Sequence, residues 1–372
     1  MAATRAVAQG VPQPLRQRLV NALCASDPGL IEARLLGALR RCVASRAGMS
    51  GVPGVQVSLC VDDRPVRSFA WGFADAQRAL PMRADTRWRL ASLGKPLASM
   101  VFLRLVARGV FTLDEPLNPL LEGVAPQVCG TVLTARTLLS HAAGLGVMHP
   151  PHFEDGQDPS RRTTLAQALQ GEGGHPRPCR DTGFAGTRYT GAGWMLLQHA
   201  IEQRTGRSFV TLAEELLIQP LGLTRTSFSP SARTGDDLAS AHGPGAAVLP
   251  ATTSPAHAAT GMVSTMSDVV TAARAIVVAA RGSSTAFLPA GLAHAALSPQ
   301  PGADADFTLT CLVFARDPCT LTHGGIRPGL RSTLTVFPAH GIIAACAANS
   351  DDGFEVIKPW LGLLGSMARA RG

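Results

Sequence analysis

The chain has 372 residues, enough for one large domain or two, and 46 % of them are hydrophobic. Its net charge of +8 comes from dispersed arginines rather than a basic stripe with interleaved aromatic residues, which argues against a nucleic-acid-binding protein. It contains no run of about 18 apolar residues, and residues 1–30 lack the apolar core of a signal peptide, so we expect a cytoplasmic protein that does not cross a membrane.

The N-terminal elements are predicted to be a helix, a hairpin and a second helix. Residues from Leu30 to Ala47 carry a helical apolar stripe, which Gly51 to Gly54 interrupts. Two strands follow, Val55 to Val61 and Pro65 to Trp71, joined as a hairpin. An apolar helix is predicted from Leu97 to Arg108.

The middle of the chain, from about Phe111 to about Ala295, alternates helical segments with long loops rich in Pro and Gly. The predicted helices there are Thr134 to Leu139, Gly193 to Thr205, Phe209 to Leu217 and Ser267 to Ala280. The stretch from Arg225 to Ala258 is predicted to be a loop.

The last part of the chain changes to a strand pattern. The predicted elements are strands Phe307 to Phe314, Leu321 to Gly324, Thr333 to Phe337 and Ile342 to Ala348, and a helix from about Phe354 to Met367. Strands at both ends with helices between them predict an α/β sandwich whose antiparallel sheet unites the two termini. We expect one catalytic domain over residues 1–372, with an α/β lobe from about 30–91 and 296–370 and an inserted helical lobe from about 92–295.

Lysine is almost absent from this chain. Only Lys95 and Lys358 are lysine among 34 basic residues, and Lys95 stands three residues after Ser92. Arginine cannot replace lysine where the amine must lose its proton, since the guanidinium stays charged. A hydroxyl and an amine spaced as Ser-x-x-Lys share one face at the start of a helix, as the nucleophile and base of a serine hydrolase do. The alternative is an exposed lysine that caps a turn.

Two further segments carry candidate site residues. Tyr189, the only tyrosine, lies in a loop rich in Gly just before a predicted helix, where a phenol can shuttle protons. The alternative for Tyr189 is an amphipathic tyrosine at the interface between the lobes. His323 is followed by Gly324 and Gly325 at the end of a strand, where glycine allows backbone to approach a ligand closely. The alternative for His323 is a structural histidine of the core.

These residues belong to an ordered series of motifs. The series is Val52-Pro53-Gly54-Val55, Trp71-Gly72-Phe73-Ala74-Asp75, Trp88 to Lys95, Leu138 to Leu145, Pro220-Leu221-Gly222-Leu223, Gly261 to Thr265, His323-Gly324-Gly325 and Asn349. With it the chain resembles the class C β-lactamase-like serine hydrolases, a superfamily of β-lactamases, D-alanyl carboxypeptidases, D-aminopeptidases and family VIII carboxylesterases. The resemblance implies the β-lactamase/transpeptidase-like fold.

The resemblance also implies roles for individual residues. Ser92 would be the acylated nucleophile, Lys95 its partner and Tyr189 the general base and acid, while the N–H groups of Ser92 and Ile326 would form the oxyanion hole. The residues expected to bind substrate are His323, Gly324, Gly325 and Gly191.

Two positions depart from the family's pattern. Gly191 stands where the Tyr-x-Asn motif has its amide, and His323 replaces the lysine of Lys-Thr-Gly, a fixed cation for a substrate carboxylate. Both changes favour ester or thioester substrates over efficient β-lactam hydrolysis. Arg327 and Arg331 are the candidates for a replacement cation.

We therefore predict a serine hydrolase or acyltransferase that needs neither metal nor cofactor and acts on a small acyl substrate, an ester, thioester or amide, more as a carboxylesterase than as a β-lactamase. The sequence has no Gly-x-Ser-x-Gly elbow, P-loop or HExxH motif. Two alternatives remain. One is a biosynthetic acyltransferase that takes its acyl group from an acidic acyl carrier protein. The other is a member of the fold that has lost catalytic activity and serves as a scaffold or binding protein.

Overall fold

The computed structural model describes residues 28–124, 132–155, 157–158, 162–179, 187–228, 237–283, 287–301, 307–316 and 319–371. Residues 1–27, which make up most of the segment without a signal-peptide core, and residues 229–236 of the predicted loop lie outside this range. The helices are α1 Pro28–Ser50, α2 Lys95–Ala107, α3 Ala135–Leu139, α4 Leu165–Leu169, α5 Ala192–Thr205, α6 Phe209–Ala213, α7 Gln219–Leu221, α8 His257–Thr260, α9 Met266–Ala280, α10 Ala290–Leu297 and α11 Phe354–Arg371. The strands are β1 Gly54–Val61, β2 Arg67–Asp75, β3 Leu80–Pro81, β4 Trp88–Arg89, β5 Phe153–Glu154, β6 Thr252–Thr253, β7 Val263–Ser264, β8 Val313–Arg316, β9 Cys319–Arg327, β10 Leu330–Phe337 and β11 Ile342–Ala348.

The main sheet joins the two ends of the chain. In the described residues its strand order is β3-β2-β1-β11-β10-β9-β8, and the neighbouring strands are antiparallel. At its centre β1 pairs with β11, with Val55 opposite Ala348 and Val61 opposite Ile342. The predicted sandwich, with a sheet built from both termini, is confirmed.

Helices cover both faces of this sheet. On one face α1 packs on β1, and α11 packs on β10, β11 and α1, through a cluster that includes Leu39, Val57 and Trp360. On the other face α9 contacts β1 and β11, and the larger core extends from there into the remaining helices. Every residue of β1 is buried, as expected for a central strand with helices on either side. The division into two lobes stays a prediction.

Two predicted elements differ from the structure. The segment predicted as a strand from Phe307 to Phe314 is irregular as far as Leu312, with a turn at residues 309–311, and β8 begins only at Val313. Cys311 N donates to Thr308 O at 3.1 Å, and Cys311 has φ +58°, so the chain reverses there. The helix predicted from Phe209 to Leu217 is α-helical to Ala213 and continues as a π-helix over Glu214–Ile218. Within the described part of the chain, no helix combines the length and apolar character needed to cross a bilayer.

Candidate active site

Ser92 lies in a tight turn at the start of a buried helix. The 3-10 turn Ala91–Gly94 leads directly into α2, which begins at Lys95. The segment around Met262 holds this turn, because Leu90 N donates to Met262 O at 3.0 Å. A Cβ on Gly94 would lie 2.9 Å from Met262 Cβ, so glycine is required for this contact.

Lys95 is the partner that this turn presents to Ser92. The residue is only 2 % exposed, and its Nζ lies 2.9 Å from Ser92 Oγ and 2.9 Å from Ala259 O. Burial lowers the pKa of Lys95 to about 8, and the neighbouring Cys311 thiol opposes this shift. The amine therefore loses its proton far more readily than an exposed lysine does.

Tyr189 covers this pair. Lys95 Nζ lies 5.1 Å from the centroid of the Tyr189 ring, and 39 % of the Tyr189 residue is exposed. Partial burial raises the pKa of the Tyr189 phenol, with a smaller contribution from Cys311, while a hydrogen bond with Ser92 acts in the opposite direction. The resting phenol therefore holds its proton at neutral pH. The structure brings Ser92, Lys95 and Tyr189 together.

A buried histidine supports Tyr189. The His141 ring centroid lies 4.5 Å from that of Tyr189. His141 Nδ1 accepts from Thr190 N at 3.3 Å, and its Nε2 lies 3.1 Å from Cys311 Sγ. Because a backbone N–H can only donate, Nδ1 is the unprotonated nitrogen and Nε2–H donates to the sulfur. Burial, and after it electrostatic interactions with Lys95 and His323, hold the pKa of His141 well below its usual value.

The sequence motif around His141 contains the histidine, but sequence reasoning assigned it no role. Its two polar partners come from distant parts of the chain, and the contact with Cys311 spans 170 positions. The backbone of His141 has a positive φ, +58°, which marks the residue as unusual. A backbone angle of this kind cannot be read from the sequence.

The far half of β9 forms the opposite wall. β8 pairs with β9 only at residues 319–322, so residues 323–327 have no partner strand among the described residues on that side and face the Ser92 turn. A Cβ on Gly325 would overlap Leu90 O and lie 3.1 Å from Leu93 Cβ. At Gly324 the nearest atom to such a Cβ is Ser332 O at 3.5 Å, an ordinary contact. Close approach of the two segments therefore depends on Gly325.

His323 lies in this wall as a neutral side chain. It is 7 % exposed, and burial together with the charge of Lys95 lowers its pKa to about 3, although the carbonyl groups of Ser92 and Cys311 act in the opposite direction. His323 Nε2 has no hydrogen-bond partner within the described residues. The side chain supplies no positive charge at neutral pH.

Gly191 packs against a loop instead of opening toward Ser92. Gly191 N donates to Met148 O at 2.8 Å. A Cβ on residue 191 would lie 2.7 Å from Pro150 Cδ and 2.8 Å from Met148 O. The loop thus fills the space into which a side chain at 191 would extend, and Gly191 is not among the described residues that line the pocket beside Ser92.

That pocket has a volume of about 790 Å³. Ser92 and Ile326 both line it, and Ile326 is 62 % exposed. Arg89 and Arg327 contribute positive charge to its wall. The volume lies in the range of small-molecule sites.

Arg331 and Asn349 are not among the described residues that line this pocket, and each has other partners. Arg331 forms a salt bridge with Asp351 at 3.0 Å and stacks on Phe354, so of the two candidate cations it is Arg327 that lines the pocket. Asn349 Nδ2 donates to the carbonyl oxygens of Phe73 and Ala74 at 3.0 and 3.1 Å, and so joins β11 to β2.

Comparison with known proteins identifies relatives of several activities. An esterase of Burkholderia gladioli, EstB, is 32 % identical over 177 residues, which cover 43 % of this chain and 43 % of the esterase. A D-aminopeptidase of Brucella anthropi is 30 % identical over 190 residues, which cover 50 % of this chain and 34 % of that enzyme. The matched segments thus span less than half the length of either relative.

The fold has solved counterparts. The D-amino acid amidase of Ochrobactrum anthropi SV3, solved with L-phenylalanine amide, superposes with a TM-score of 0.72 and 21 % identity over 91 % of this chain and 99 % of that one. A class C beta lactamase from Rhodobacter sphaeroides gives a TM-score of 0.65 and 19 % identity over 88 % and 98 %. The sequence profile of the Beta-lactamase family matches residues 39–364. With that match over most of its length, the chain belongs to the beta-lactamase family, whose members include serine hydrolases such as these esterase and aminopeptidase relatives.

Proposed function

We propose that this chain is a serine hydrolase that forms an acyl-enzyme on Ser92 and acts on esters or thioesters. The observation that carries the proposal is the 2.9 Å contact between Ser92 Oγ and Lys95 Nζ, with the amine almost fully buried. Burial lowers the pKa of Lys95 to about 8, close to the range in which a general base works best at neutral pH.

Lys95 takes the proton in the first step. Ser92 Oγ attacks the carbonyl carbon with an electron pair, its proton moves to Lys95 Nζ, and the carbonyl π electrons move to oxygen. We assign Tyr189 as the acid, because its raised pKa keeps the phenol protonated, whereas a base would have to be phenolate. The family resemblance alone would make Tyr189 the first base.

The oxyanion would face the N–H groups of Ser92 and Ile326, both of which line the pocket. Collapse breaks the bond to the leaving oxygen or sulfur, which takes a proton from Tyr189, and Lys95 returns a proton to the phenol. Water then attacks the ester of Ser92 by the same route and releases the acid. Gly325 contributes by letting Ile326 approach Ser92.

Esters suit this site better than β-lactams for two reasons. His323 is neutral, so the position of the family's Lys-Thr-Gly lysine offers no cation to a β-lactam carboxylate. At Gly191 the amide of Tyr-x-Asn is missing, and Pro150 occupies the adjacent space. An activated ester needs neither group to be attacked, whereas a β-lactam, which has both a carboxylate and an amide, loses both contacts.

The test is intact-mass spectrometry after treatment with a fluorophosphonate or a short p-nitrophenyl ester. We expect one adduct on the wild-type protein and none on Ser92→Ala. An equal adduct on Ser92→Ala would contradict the proposal. Ester turnover that Tyr189→Phe and Ser92→Ala leave unchanged would instead indicate background hydrolysis by a catalytically inactive scaffold protein.

Acyl transfer is a second candidate, favoured by the exposure of Ile326 in the pocket wall and of Tyr189 next to Lys95, where a nucleophile larger than water can enter. The net charge of +8 would attract an acidic carrier protein that delivers the acyl group in the cytoplasm. The check compares free thioesters with carrier-bound ones at low and high salt. Equal rates without salt dependence would exclude the carrier.

A further inference from the structure

We propose that Arg327 binds a carboxylate of the substrate in the pocket beside Ser92, so that the preferred ester carries an anionic group. This proposal rests on the proposed esterase function and names the substrate class of that esterase. It concerns a different residue from the family's Lys-Thr-Gly lysine, since that position is the neutral His323.

Arg327 and Arg89 reach the pocket wall from two separate elements. They are anchored on the small ribbon in which β5 pairs with β6, with Glu154 opposite Thr252. Arg89 forms a salt bridge with Asp155 at 2.8 Å, at the end of β5. Arg327 donates to the side chain and carbonyl of Thr252 on β6. Asp155 N donates to Ala251 O at 2.9 Å, so these anchor points are close together.

The positive charges of Arg89 and Arg327 are not balanced by the negative charge of Asp155. Asp155 compensates Arg89, but Arg327 makes no salt bridge with any acidic residue in the described part of the chain. None of the described residues that line the pocket is acidic. One positive charge is therefore left for a ligand.

Burial makes this excess charge unfavourable without a ligand. It lowers the pKa of Arg327 to about 10, and the charge of Arg89 adds to this effect, while Asp155 opposes it. Arg327 still carries its charge at neutral pH. A carboxylate in the pocket would offset the cost of burial, and the planar guanidinium suits bidentate binding of such a group.

The rest of the pocket suits the organic part of such a substrate. Val248, Leu249 and Pro250 form an apolar wall, and Ser92 lies in the same cavity of about 790 Å³. A short chain with an ester at one end and a carboxylate at the other would contact Ser92, this wall and Arg327 together. Short dicarboxylic half-esters are the simplest members of this class.

The experiment compares matched charged and neutral esters. The acyl series pairs the p-nitrophenyl monoester of glutarate with its methyl-capped diester. The leaving-group series pairs 4-acetoxybenzoate with its methyl ester. We expect at least one series to show kcat/KM about 10- to 100-fold higher for the anion, the value of a hydrogen bond to a charged group. No preference for the anion in either series would overturn the proposal.

Variants then assign the preference to Arg327. Arg327→Gln should lower the ratio of kcat/KM for anionic over neutral ester by about 10- to 100-fold, and Arg327→Lys should keep part of that ratio. Arg41→Gln removes the same charge from the exposed face of α1 and should leave the ratio unchanged. An equal loss on charged and neutral esters in Arg327→Gln would contradict the assignment.

A binding measurement separates this inference from the proposed function. Calorimetric titration of Ser92→Ala with monomethyl glutarate should give binding that Arg327→Gln abolishes in the same background. Binding without ester turnover in wild type would refute the esterase but keep the anion site. Turnover of neutral esters with no binding of the half-ester and no preference for the anion would refute the anion site alone.

Discussion

Lys95 Nζ donates to the carbonyl oxygen of Ala259 at 2.9 Å, and Ala259 lies in the short helix α8. This contact gives the amine a fixed orientation, because a neutral amine has two N–H donors and one lone pair. With one N–H on Ala259, the lone pair can face Ser92 Oγ at 2.9 Å. The carbonyl group thus positions the amine that we propose as the base, while burial lowers the pKa of this amine.

Lys95→Arg should lower the acylation rate almost as much as Lys95→Ala. Arginine keeps the charge but cannot become a base, and general-base contributions are typically about 10²–10⁴-fold. We expect the acylation rate, measured as the p-nitrophenol burst, to fall by at least about 10²-fold in a protein that unfolds in one cooperative transition. Lys358→Arg is the control, since Lys358 is exposed on α11, where its Nζ lies 5.7 Å from the centroid of the Phe354 ring, and this change should not alter the rate. A near wild-type burst in Lys95→Arg would refute the base role.

The pH profile should follow the titration of Lys95. With a pKa of about 8, the neutral amine makes up about one part in a hundred at pH 6 and most of the population at pH 9. We therefore expect kcat/KM to rise with pH, by about 100-fold between pH 6 and the plateau, after correction for hydrolysis by hydroxide.

His141 and His323 do not account for that rise. The pKa of His323 is about 3 and that of His141 lies well below 6.5, so both are neutral throughout the range. His149 and His152 also line the pocket, so Gln variants at these two positions are the controls for a contribution from either side chain. A flat profile from pH 6 to 9 would show that deprotonation of Lys95 does not limit the reaction.

The sequence was sufficient to predict the parts of the site that depend on local order. Ser92 and Lys95 are one helical turn apart, so their contact follows from the spacing once a helix begins there. The strand patterns at both ends of the chain predicted one antiparallel sheet that unites the termini, and the structure supplies the pairing of β1 with β11.

The remaining parts depend on contacts that no local pattern encodes. The alternation of Thr and apolar residues after Phe307 is typical of a strand, but Cys311 adopts a left-handed conformation and lies against His141. Asp155 and Ala251 are almost 100 positions apart, and their backbone contact brings Arg89 and Arg327 together. Sequence reasoning therefore left Arg327 and Arg331 as equal candidates.

Gly325→Ala should disturb the site, whereas Gly324→Ala should not disturb the fold. At 325 the added methyl group would overlap Leu90 O, and β9 would have to move away from the Ser92 turn. Overpacking of this kind costs about 1–3 kcal/mol, so we expect a lower free energy of unfolding in urea and a loss of acylation rate. At 324 the nearest atom lies at 3.5 Å, which makes this variant the matched control for stability. Equal stability of the two variants would contradict the packing argument.

Restoring the family's amide by Gly191→Asn should fail to create a β-lactamase. The Cβ alone would lie 2.7 Å from Pro150 Cδ and 2.8 Å from Met148 O, so the loop must shift before any side chain fits. We expect a loss of about 1–3 kcal/mol in the free energy of unfolding and no gain in nitrocefin hydrolysis. Gly191→Asn combined with Pro150→Gly removes the nearest obstructing ring and should recover part of the stability. If the single variant is as stable as the wild type and hydrolyses nitrocefin, the loop does not prevent an amide at residue 191 from reaching the site.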